Sequence, residues 1–449
     1  MIDTEVLKRK ILDLAIKGKL VPQDPTDEPA SELLKRIKSE RDRLIDEGKI
    51  KGKKDDFSYI FKGEDNCYYE KNTRDVKLFK GVLPYELPNG WCFIKIKNIA
   101  SLYNGDSINQ EVKKAKYTNI EEGFNYIGTK DIGYDNQINY ENGVKIPFSE
   151  PFKVCPKGKV LLCIEGGNAG NKIAISEENV CFGNKLLCFN TYLFEDTFLF
   201  IYLQSTIFRN VFKSKETGLI GGVSIPKIGD CYIPIPSQNE QLKIVKIVKD
   251  FLNKINSINR LFVDTENLKL KIKSRIISLG VQGKLLNTDD NYYYQKELKT
   301  IELGKALIYE QPTNYIVQSE DYNNIYKTPV LTAGKSFILG KTNETNGIFK
   351  ASIEPVLIFD DFTTSHHYVD FDFKVKSSAM KILKSSDKEN YDVKFFNYLL
   401  SSISINANTH KRYWISIFAK LNVEIPSIKF QQKIVKTIET LINKLNLSD

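Results

Sequence analysis

The chain has 449 residues, of which 41% are hydrophobic and 27% are charged. This composition is that of an ordinary water-soluble protein, and the length predicts two or three domains because it exceeds what one core accommodates. No apolar run approaches the roughly 20 residues of a membrane span, and the first residues lack the pattern of a signal peptide, so we expect a cytoplasmic protein. The net charge of +9 favours a polyanionic partner without identifying one.

Two helices joined by a proline-containing link are predicted within the first 50 residues. The first ends near Gly18, and Asp-Glu-Pro at 27–29 favours the first turn of a second helix at 30–47. A lysine-rich run at 49–54 follows. We interpret this run as a solvated linker, with contact to a DNA backbone as the alternative. The sequence between this run and residue 88 is polar, and its pattern does not indicate a function.

Short strand-like runs separated by turn signals begin at residue 88 and continue to residue 236. A helical run at 197–213 comes late in this region. The pattern predicts an α+β domain. The predicted strands are 93–96, 125–128, 159–164, 172–175 and 185–189.

Cysteines occur seven times, an odd number, without a C-x-x-C pair. This usage fits neither a disulfide framework nor a zinc site, and it predicts buried free thiols.

A long central helix is predicted from Ser237 to about residue 286. Its apolar residues advance in alternating steps of four and three, which is the seam of a coiled coil. At about 1.5 Å per residue this seam would extend about 60 Å, so it needs a partner along its length. Ser237 and Glu240 have the spacing of a capping box, which places the start of the helix.

A second α+β domain is predicted at 298–426, because it repeats features of the first. The runs at 329–335 and 354–360 align with 125–131 and 158–164. The helical run at 395–401 likewise corresponds in position to the run at 199–205 in the first domain. Elsewhere the two domains differ at almost every position, which gives each a different surface.

The two termini together repeat the central helix. Residues 427–436 match 237–246, each after an Ile-Pro dipeptide, and residues 7–20 match 272–285, both ending in Gly-Lys-Leu. This repeat predicts that the N-terminal and C-terminal helices meet end to end and pack antiparallel on the central helix. The predicted helix-pair core consists of Leu7, Ile11, Leu14, Ile244, Val248, Phe251, Ile255, Ile258, Phe262, Ile272, Ile276, Leu279, Ile434, Ile438, Leu441 and Leu445.

Three stretches resemble the conserved regions of type I restriction-modification specificity subunits. They are Gly-Lys-Leu-Val-Pro-Gln-Asp-Pro followed by Asp-Glu-Pro-Ala-Ser-Glu-Leu-Leu at 18–34, Ile-Pro-x-Pro-x-x-x-Glu-Gln-x-x-Ile-Val at 233–245, and Leu-Thr-Ala-Gly-Lys-Ser-Phe-Ile-Leu-Gly at 331–340. The resemblance covers nearly the whole chain apart from about residues 50–85. The chain departs from the commonest layout by starting with a helix, a circular permutation that the divided repeat accommodates.

The predicted fold is therefore α+β. Two target-recognition domains are separated by a pair of long antiparallel coiled-coil helices, in a pseudo-twofold repeat with a circularly permuted start. The predicted boundaries are 1–50 for the N-terminal conserved helices, 88–236 for target-recognition domain 1, 237–286 for the central conserved helix, 298–426 for target-recognition domain 2, and 427–449 for the C-terminal conserved helix.

The resemblance implies a non-catalytic subunit that supplies the DNA sequence specificity of a restriction-modification complex. Each domain would read one half of a bipartite asymmetric site on double-stranded DNA, and the conserved helices would dock two methyltransferase subunits. Motor-nuclease subunits would complete the restriction enzyme. S-adenosylmethionine, ATP and Mg²⁺ are expected on the partner subunits, and no cofactor is expected on this chain.

Contact with DNA requires basic side chains for phosphates and polar side chains for base edges. Loops of both domains supply such residues, although each one alone is more often a solvated surface charge. The candidates are Lys130, Asn168, Asn171, Lys172, Lys213, Lys215 and Lys227 in the first domain, and Lys335, Ser336, Lys341, His366, His367, Lys411, Arg412 and Tyr413 in the second.

No catalytic, cofactor-binding or metal site is predicted. The glycine-rich run at 166–172 lacks the spacing of a phosphate-binding P-loop. Asp360, Asp361, His366 and His367 come nearest to a metal site, and we interpret them as a polar loop at a strand end. Two alternatives stay open: a self-contained metal-dependent nuclease acting through this region, and a coiled-coil scaffold that binds only proteins.

Overall fold

The computed structural model describes residues 3–217, 221–332, 336–403 and 412–446. The chain divides into two compact units, unit 1 (Met1–Arg260) and unit 2 (Leu261–Asp449). One long helix of 44 residues, Gln238–Val281, contributes to both units. Within the described ranges, no helix has the length and apolar content needed to span a membrane.

Unit 1 combines helices with three sheets. Its helices are α1 (Thr4–Ile16), α2 (Ala30–Asp46), α3 (Gln110–Lys116), α4 (Asp196–Gln204), α5 (Thr206–Lys215), α6 (Ile225–Gly229) and the first part of α7 (Gln238–Val281). Its strands are β1 (Tyr59–Lys62), β2 (Tyr68–Lys71), β3 (Val76–Leu78), β4 (Cys92–Lys95), β5 (Ala100–Asn104), β6 (Phe124–Ile127), β7 (Lys145–Ile146), β8 (Val154–Cys155), β9 (Val160–Cys163), β10 (Ile173–Ile175), β11 (Val180–Phe182), β12 (Leu186–Thr191) and β13 (Tyr232–Ile235).

Unit 2 has a similar mixture of elements. Its helices are the end of α7, α8 (Thr288–Glu297), α9 (Leu303–Ala306), α10 (Val393–Ser402), α11 (Tyr413–Ser416) and α12 (Ile428–Asn446). Its strands are β14 (Lys299–Glu302), β15 (Leu307–Glu310), β16 (Thr328–Leu331), β17 (Ile338–Thr342), β18 (Val356–Asp360), β19 (His366–Val369), β20 (Lys374–Val375), β21 (Met380–Ser385) and β22 (Asn422–Ile425).

The sheets of the two units have matching strand orders. The order β10-β9-β12-β5 in unit 1 corresponds to β19-β18-β21-β15 in unit 2. Each unit also has one parallel pair, β6 with β11 and β16 with β20, and one antiparallel pair next to its helices, β4 with β13 and β14 with β22. The predicted repeat of two α+β domains is confirmed.

Hydrogen bonds around the repeated helix starts are also duplicated. The Gln241 side chain donates to the Pro236 carbonyl at 3.2 Å, and the Gln431 side chain donates to the Pro426 carbonyl at 2.9 Å. Each glutamine also accepts from the backbone N–H of a helix N-cap, Glu195 before α4 or Asp392 before α10. The repeated Ile-Pro and Gln residues therefore form the same joint between helix and domain in both units.

The terminal helices pack within their own units. Helix α1 packs against α4 and α5, and α12 packs against α10 and the end of α7, where Ile438 lies directly over Gly280. The predicted end-to-end meeting of the terminal helices involves both units and stays a prediction.

The residues of the predicted helix-pair core are only partly buried, and their packing between paired helices stays a prediction. Buried positions are Ile11, Ile244, Val248, Ile255, Ile434 and Ile438, and half-buried positions are Leu7, Leu14, Ile258, Ile276, Leu279, Leu441 and Leu445. Phe251, Phe262 and Ile272 are exposed, which corrects the prediction for these three. Helices α1 and α12 have 13 and 19 residues, so together they are too short to cover all 44 residues of α7.

Residues 55–87 form regular structure that sequence patterns missed. Strands β1, β2 and β3 extend the pair β4 and β13 into a five-stranded sheet in the order β13-β4-β1-β2-β3. These strands have only three or four residues each, and β1 joins them to the sheet by pairing with the buried β4. The predicted helix at 197–213 is two helices, since Ser205 interrupts it and its hydroxyl accepts the Phe208 N–H at 3.2 Å to cap α5.

The seven cysteines are free, and all except Cys67 are buried, as predicted for six of them. The capping box at the start of α7 is only half formed. The Ser237 hydroxyl accepts the Glu240 N–H at 3.1 Å, but the Glu240 carboxylate accepts the indole N–H of Trp91.

Candidate nucleic-acid interface

The turn between β9 and β10 presents polar side chains on the surface of unit 1. Gly170 has a φ of +71°, and a Cβ there would lie 2.9 Å from the Phe212 ring of α5. Its N–H donates to the Cys163 carbonyl at 2.8 Å, which closes the turn. A glycine is required because the backbone is both left-handed and pressed against a helix. The turn therefore holds its polar residues in a fixed position.

Three of the predicted DNA contacts meet at this turn. The Tyr134 hydroxyl donates to Asn168 Oδ1 at 2.6 Å, and the Lys172 ammonium lies 5.3 Å from the centroid of the same ring. Lys172 also donates to the Thr129 carbonyl at 3.0 Å, next to the exposed Lys130. Lys130, Asn168 and Lys172 thus share one surface around an exposed tyrosine. Such a combination of ring, amide and ammonium groups suits contact with bases and phosphates.

Beside this surface lies a polar cavity of about 300 Å³, the α1–α5 pocket, which is lined by Asn171 and Tyr134 from the loops. Lys8 and Arg9 of α1 and Arg209 of α5 line it from the helices. Sequence analysis selected Asn171 but missed the three cations, because α1 carries the pattern of a packing helix. A run of positive charge at helical spacing from Arg209 to Lys213 is the signal that was available.

The remaining candidates of unit 1 lie near the end of α5. Lys213 is exposed, and the Lys227 ammonium donates to the Lys215 carbonyl at 3.3 Å. Lys215 and Lys227 are half-buried and adjacent. They form a second basic cluster, distinct from the turn that carries Asn168.

The candidates of unit 2 are more dispersed. Ser336 and Arg412 are exposed, Lys341 lies half-buried in β17, and Lys335 and Lys411 fall outside the described residues. Tyr413 is only 1% exposed and belongs to the core with Trp414, which corrects its prediction as a DNA contact. Its position directly after Lys411 and Arg412 suggested a surface, but the aromatic pair anchors α11 inside the unit.

His367 is the clearest surface feature of unit 2. Its exposed ring stacks on Phe337 with centroids 4.0 Å apart and an interplanar angle of 25°. Neighbouring His366 is half-buried, with Nδ1 3.2 Å from the Thr364 carbonyl and Nε2 3.2 Å from the Asn397 carbonyl. Burial lowers the pKa of His366 below its ordinary value near 6.5, against the effect of these carbonyls. Burial, and secondarily the neighbouring His366, lower the pKa of His367.

The acidic residues of this region have structural partners. Asp360 accepts the Phe362 N–H at 3.0 Å and the Thr363 hydroxyl at 2.6 Å. Asp361 accepts the Trp414 N–H at 2.8 Å and so holds the start of α11. Within the described part of the chain, no three His, Cys, Asp or Glu side chains are placed to hold a metal ion. Asp360 and Asp361 thus stabilise the turn after β18 and the start of α11.

Part of the chain is similar to a known protein family. Residues 88–262, which include most of unit 1 outside its first helices, match the family described as the type I restriction modification DNA specificity domain. This segment, less than half of the chain, is similar to that specificity domain. The match begins at the predicted start of target-recognition domain 1 and ends within α7.

Two curated members of the specificity family from Escherichia coli are similar to this chain. The EcoR124I/EcoR124II specificity subunit is 46% identical over 152 residues, which are 32% of this chain and 38% of that protein. The EcoAI specificity subunit is 27% identical over 297 residues, 62% of this chain and 44% of that protein. Each match therefore spans less than half of the curated relative.

A solved structure supports the fold across both units. It comes from a study of complex assembly and conformational transition of the type I R-M system, and its chain matches with a TM-score of 0.54 at 16% identity. The match covers 81% of this chain and 93% of that chain. The similarity of fold, with mixed α and β domains and a long helix, therefore extends beyond residues 88–262.

Proposed function

We propose that this chain is the DNA sequence-specificity subunit of a type I restriction-modification system and binds a bipartite asymmetric site through its two target-recognition domains. The observation that supports this proposal most is that the scaffold repeats in both units while the surface loops differ. The sheets and the Gln241 and Gln431 joints repeat, whereas unit 1 presents Tyr134 with Asn168 and unit 2 presents Phe337 with His367. Two unlike surfaces on one scaffold suit the reading of two unlike half-sites.

Recognition would combine two kinds of contact. Basic residues such as Lys130, Lys213 and Arg412 would neutralise phosphates and position each domain, and their exposure supports this role. Polar or aromatic groups at the tips, Asn168 and His367, would approach base edges. Because phosphate contacts release counterions, binding would weaken steeply as salt is added.

The partners in this proposal are double-stranded DNA, two methyltransferase subunits and the motor-nuclease subunits. Exposed apolar residues along the middle of α7 support docking of subunits on the helices: Leu261, Val263, Leu268 and Leu270. The chain would be non-catalytic and cytoplasmic, with S-adenosylmethionine, ATP and Mg²⁺ bound by its partners.

Selection from a random duplex library tests the proposal. The chain, bound to its methyltransferase subunits, is incubated with duplexes that contain a long random segment, and retained DNA is sequenced over several rounds. The proposal requires enrichment of two short, unlike sequences at a fixed separation. A stable complex that retains DNA without any enriched sequence would favour a scaffold, and cleavage of the library by the isolated chain would favour the nuclease alternative.

A further inference from the structure

We propose that the α1–α5 pocket of unit 1 binds one phosphate group of the DNA backbone, so that the N-terminal helix takes part in DNA binding together with target-recognition domain 1. This inference rests on the proposed function for the identity of the ligand. It adds a binding site formed by Lys8, Arg9 and Arg209, none of which the loop pattern indicates.

The pocket depends on a fixed joint between the two helices. The Asp13 carboxylate of α1 accepts the backbone N–H of Thr206 at 2.8 Å and also accepts its hydroxyl, at the first turn of α5. Arg9 lies one turn before Asp13 on α1, and Arg209 lies one turn after Thr206 on α5. The joint therefore brings the two guanidinium groups to the same cavity although they are far apart in sequence.

The charges of the pocket are unbalanced. Lys8, Arg9 and Arg209 line it, and Glu5 is the acidic residue among the lining side chains. Among the described residues, these three cations have no salt bridge within 4.0 Å. The Arg209 Nε is buried and has no hydrogen-bond partner in the described protein atoms. A buried N–H of a charged group is costly without an acceptor, so an anion would stabilise this arrangement.

The opposite wall is rigid and polar. Asn136, with a φ of +65°, donates through its side chain to Gln204 Oε1 at 3.2 Å. Tyr134 is fixed by its bond to Asn168, and Asn171 completes this side of the cavity. The side-chain amides of Asn136 and Asn171 add neutral donors to the cationic wall, and such a donor set suits phosphate oxygens.

A backbone phosphate fits this site better than a base. The guanidinium groups of Arg9 and Arg209 enter the pocket from α1 and α5. Tyr134 lines the other side, and its hydroxyl is bonded to Asn168 on the turn between β9 and β10. A free phosphate ion has the same chemistry and is distinguished from DNA by experiment. A phosphate contact at this position would fix the register of the domain on the duplex without adding sequence information.

The test compares Arg209→Gln with Lys10→Gln in the complete complex with methyltransferase subunits. Lys10 is exposed on α1 and does not line the pocket, so it controls for the loss of one charge from the same region. Affinity for a duplex containing the selected site is measured at several salt concentrations. We expect Arg209→Gln to weaken binding about tenfold and to reduce the slope of log K against log salt by about one, with the Lys10 variant near wild type.

Arg209→Lys separates charge from geometry. It retains the positive charge but loses the planar donor group, so the slope should stay near that of wild type while affinity falls less than in Arg209→Gln. Melting temperatures of all variants are compared first. If Arg209→Gln unfolds early, the Lys8→Gln/Arg9→Gln pair on exposed and half-exposed α1 positions replaces it, with the same expected loss.

A second arm measures stabilisation of the complex by inorganic phosphate at constant ionic strength. DNA binding that depends on Arg209 supports the proposal whether or not phosphate stabilises the complex. Stabilisation by phosphate that depends on Arg209, with unchanged DNA affinity, would overturn the DNA assignment in favour of a free anion. Equal behaviour of the Arg209 and Lys10 variants in both arms would overturn the site, while enrichment of a bipartite sequence by the wild type would leave the proposed function intact.

Discussion

The indole N–H of Trp91 donates a hydrogen bond of 2.9 Å to the buried carboxylate of Glu240. Unit 2 places an aromatic pair at the corresponding joint, where Tyr294 meets Phe430 edge to face at 6.3 Å. In both units the first ring covers a left-handed glycine, Gly18 or Gly283. The repeat thus conserves the joint between two helix ends while its chemistry changes from polar to apolar.

Burial at this joint makes stability depend on pH. Desolvation raises the pKa of Glu240 above its ordinary value near 4.5, against the hydrogen bond from Trp91. A raised folded-state pKa stabilises the fold below the unfolded pKa, and this contribution is lost as pH rises through the folded pKa. We therefore expect Glu240→Gln to gain stability relative to wild type between pH 4 and pH 7.

Urea unfolding followed by Trp91 fluorescence, in a Trp414→Phe background, measures this difference. Glu40→Gln is the control with the opposite sign, because the hydrogen bond from Arg43 lowers the pKa of the half-buried Glu40. Its stability relative to wild type should fall slightly as pH rises towards the unfolded pKa near 4.5, and then stay level. Parallel pH profiles of wild type and Glu240→Gln would contradict the account of this joint.

Left-handed glycines at the helix ends give a second prediction. Gly18 has a φ of +63°, and a Cβ there would lie 2.5 Å from Pro88. Gly48 has a φ of +67° with nothing within 4 Å, so Gly48→Ala isolates the backbone cost of about 1–2 kcal/mol. Gly18→Ala should lower the free energy of unfolding by more than this, because a steric clash is added. Equal losses in denaturant titrations would show that the joint relaxes around the new methyl group.

The structural features that could be predicted from the sequence are those that lie within its internal repeat. Gln241 and Gln431, and Gly18 and Gly283, stand at matching positions of repeated segments, and the structure gives each pair the same role. A contact between distant, unrepeated segments carries no such signal. Asp13 and Thr206 are separated by 193 positions, and their hydrogen bonds create the α1–α5 pocket.

Periodicity also has physical limits. The seam predicts burial at Phe262, but an apolar residue is buried only where a partner helix extends alongside it. Strand β3 has no buried residue, so its pattern resembles a loop until β2 pairs with it. For the candidate site, residue type selected Asn168 and Lys172, which the structure places around the Tyr134 ring, although their contact with DNA stays a prediction. Tyr413 was wrong because it is buried in the core beside Trp414.

Variants of the two recognition surfaces should affect different halves of the DNA site. Tyr134→Ala removes the ring that organises Asn168 and Lys172, and His367→Ala removes the outer member of the stack with Phe337. Each should relax the sequence preference at one half-site by about 1–3 kcal/mol and leave the other unchanged. Binding of duplexes with single base substitutions measures both. Loss of preference at both half-sites from one variant would contradict separate reading.

The exposed middle of α7 allows a test of spacing. Repeating residues 261–267 directly after Asn267 adds seven exposed positions and lengthens the helix by about 10 Å without removing a buried contact. If α7 sets the separation of the half-sites, the gap in the recognised sequence should grow by up to about three base pairs. Both half-sites should be unchanged. A constant gap would show that α7 does not act as the spacer.

Mapping of methylated bases across a genome tests the central claim most directly. The chain is expressed with its methyltransferase subunits in a host that lacks other adenine methylation, and modified bases are located by single-molecule sequencing. We expect methylation within one asymmetric motif of two unlike half-sites separated by a fixed gap, and none when this chain is omitted. An undivided motif, or unmodified DNA despite a stable and active methyltransferase complex, would contradict the assignment of this chain as the DNA-specificity subunit.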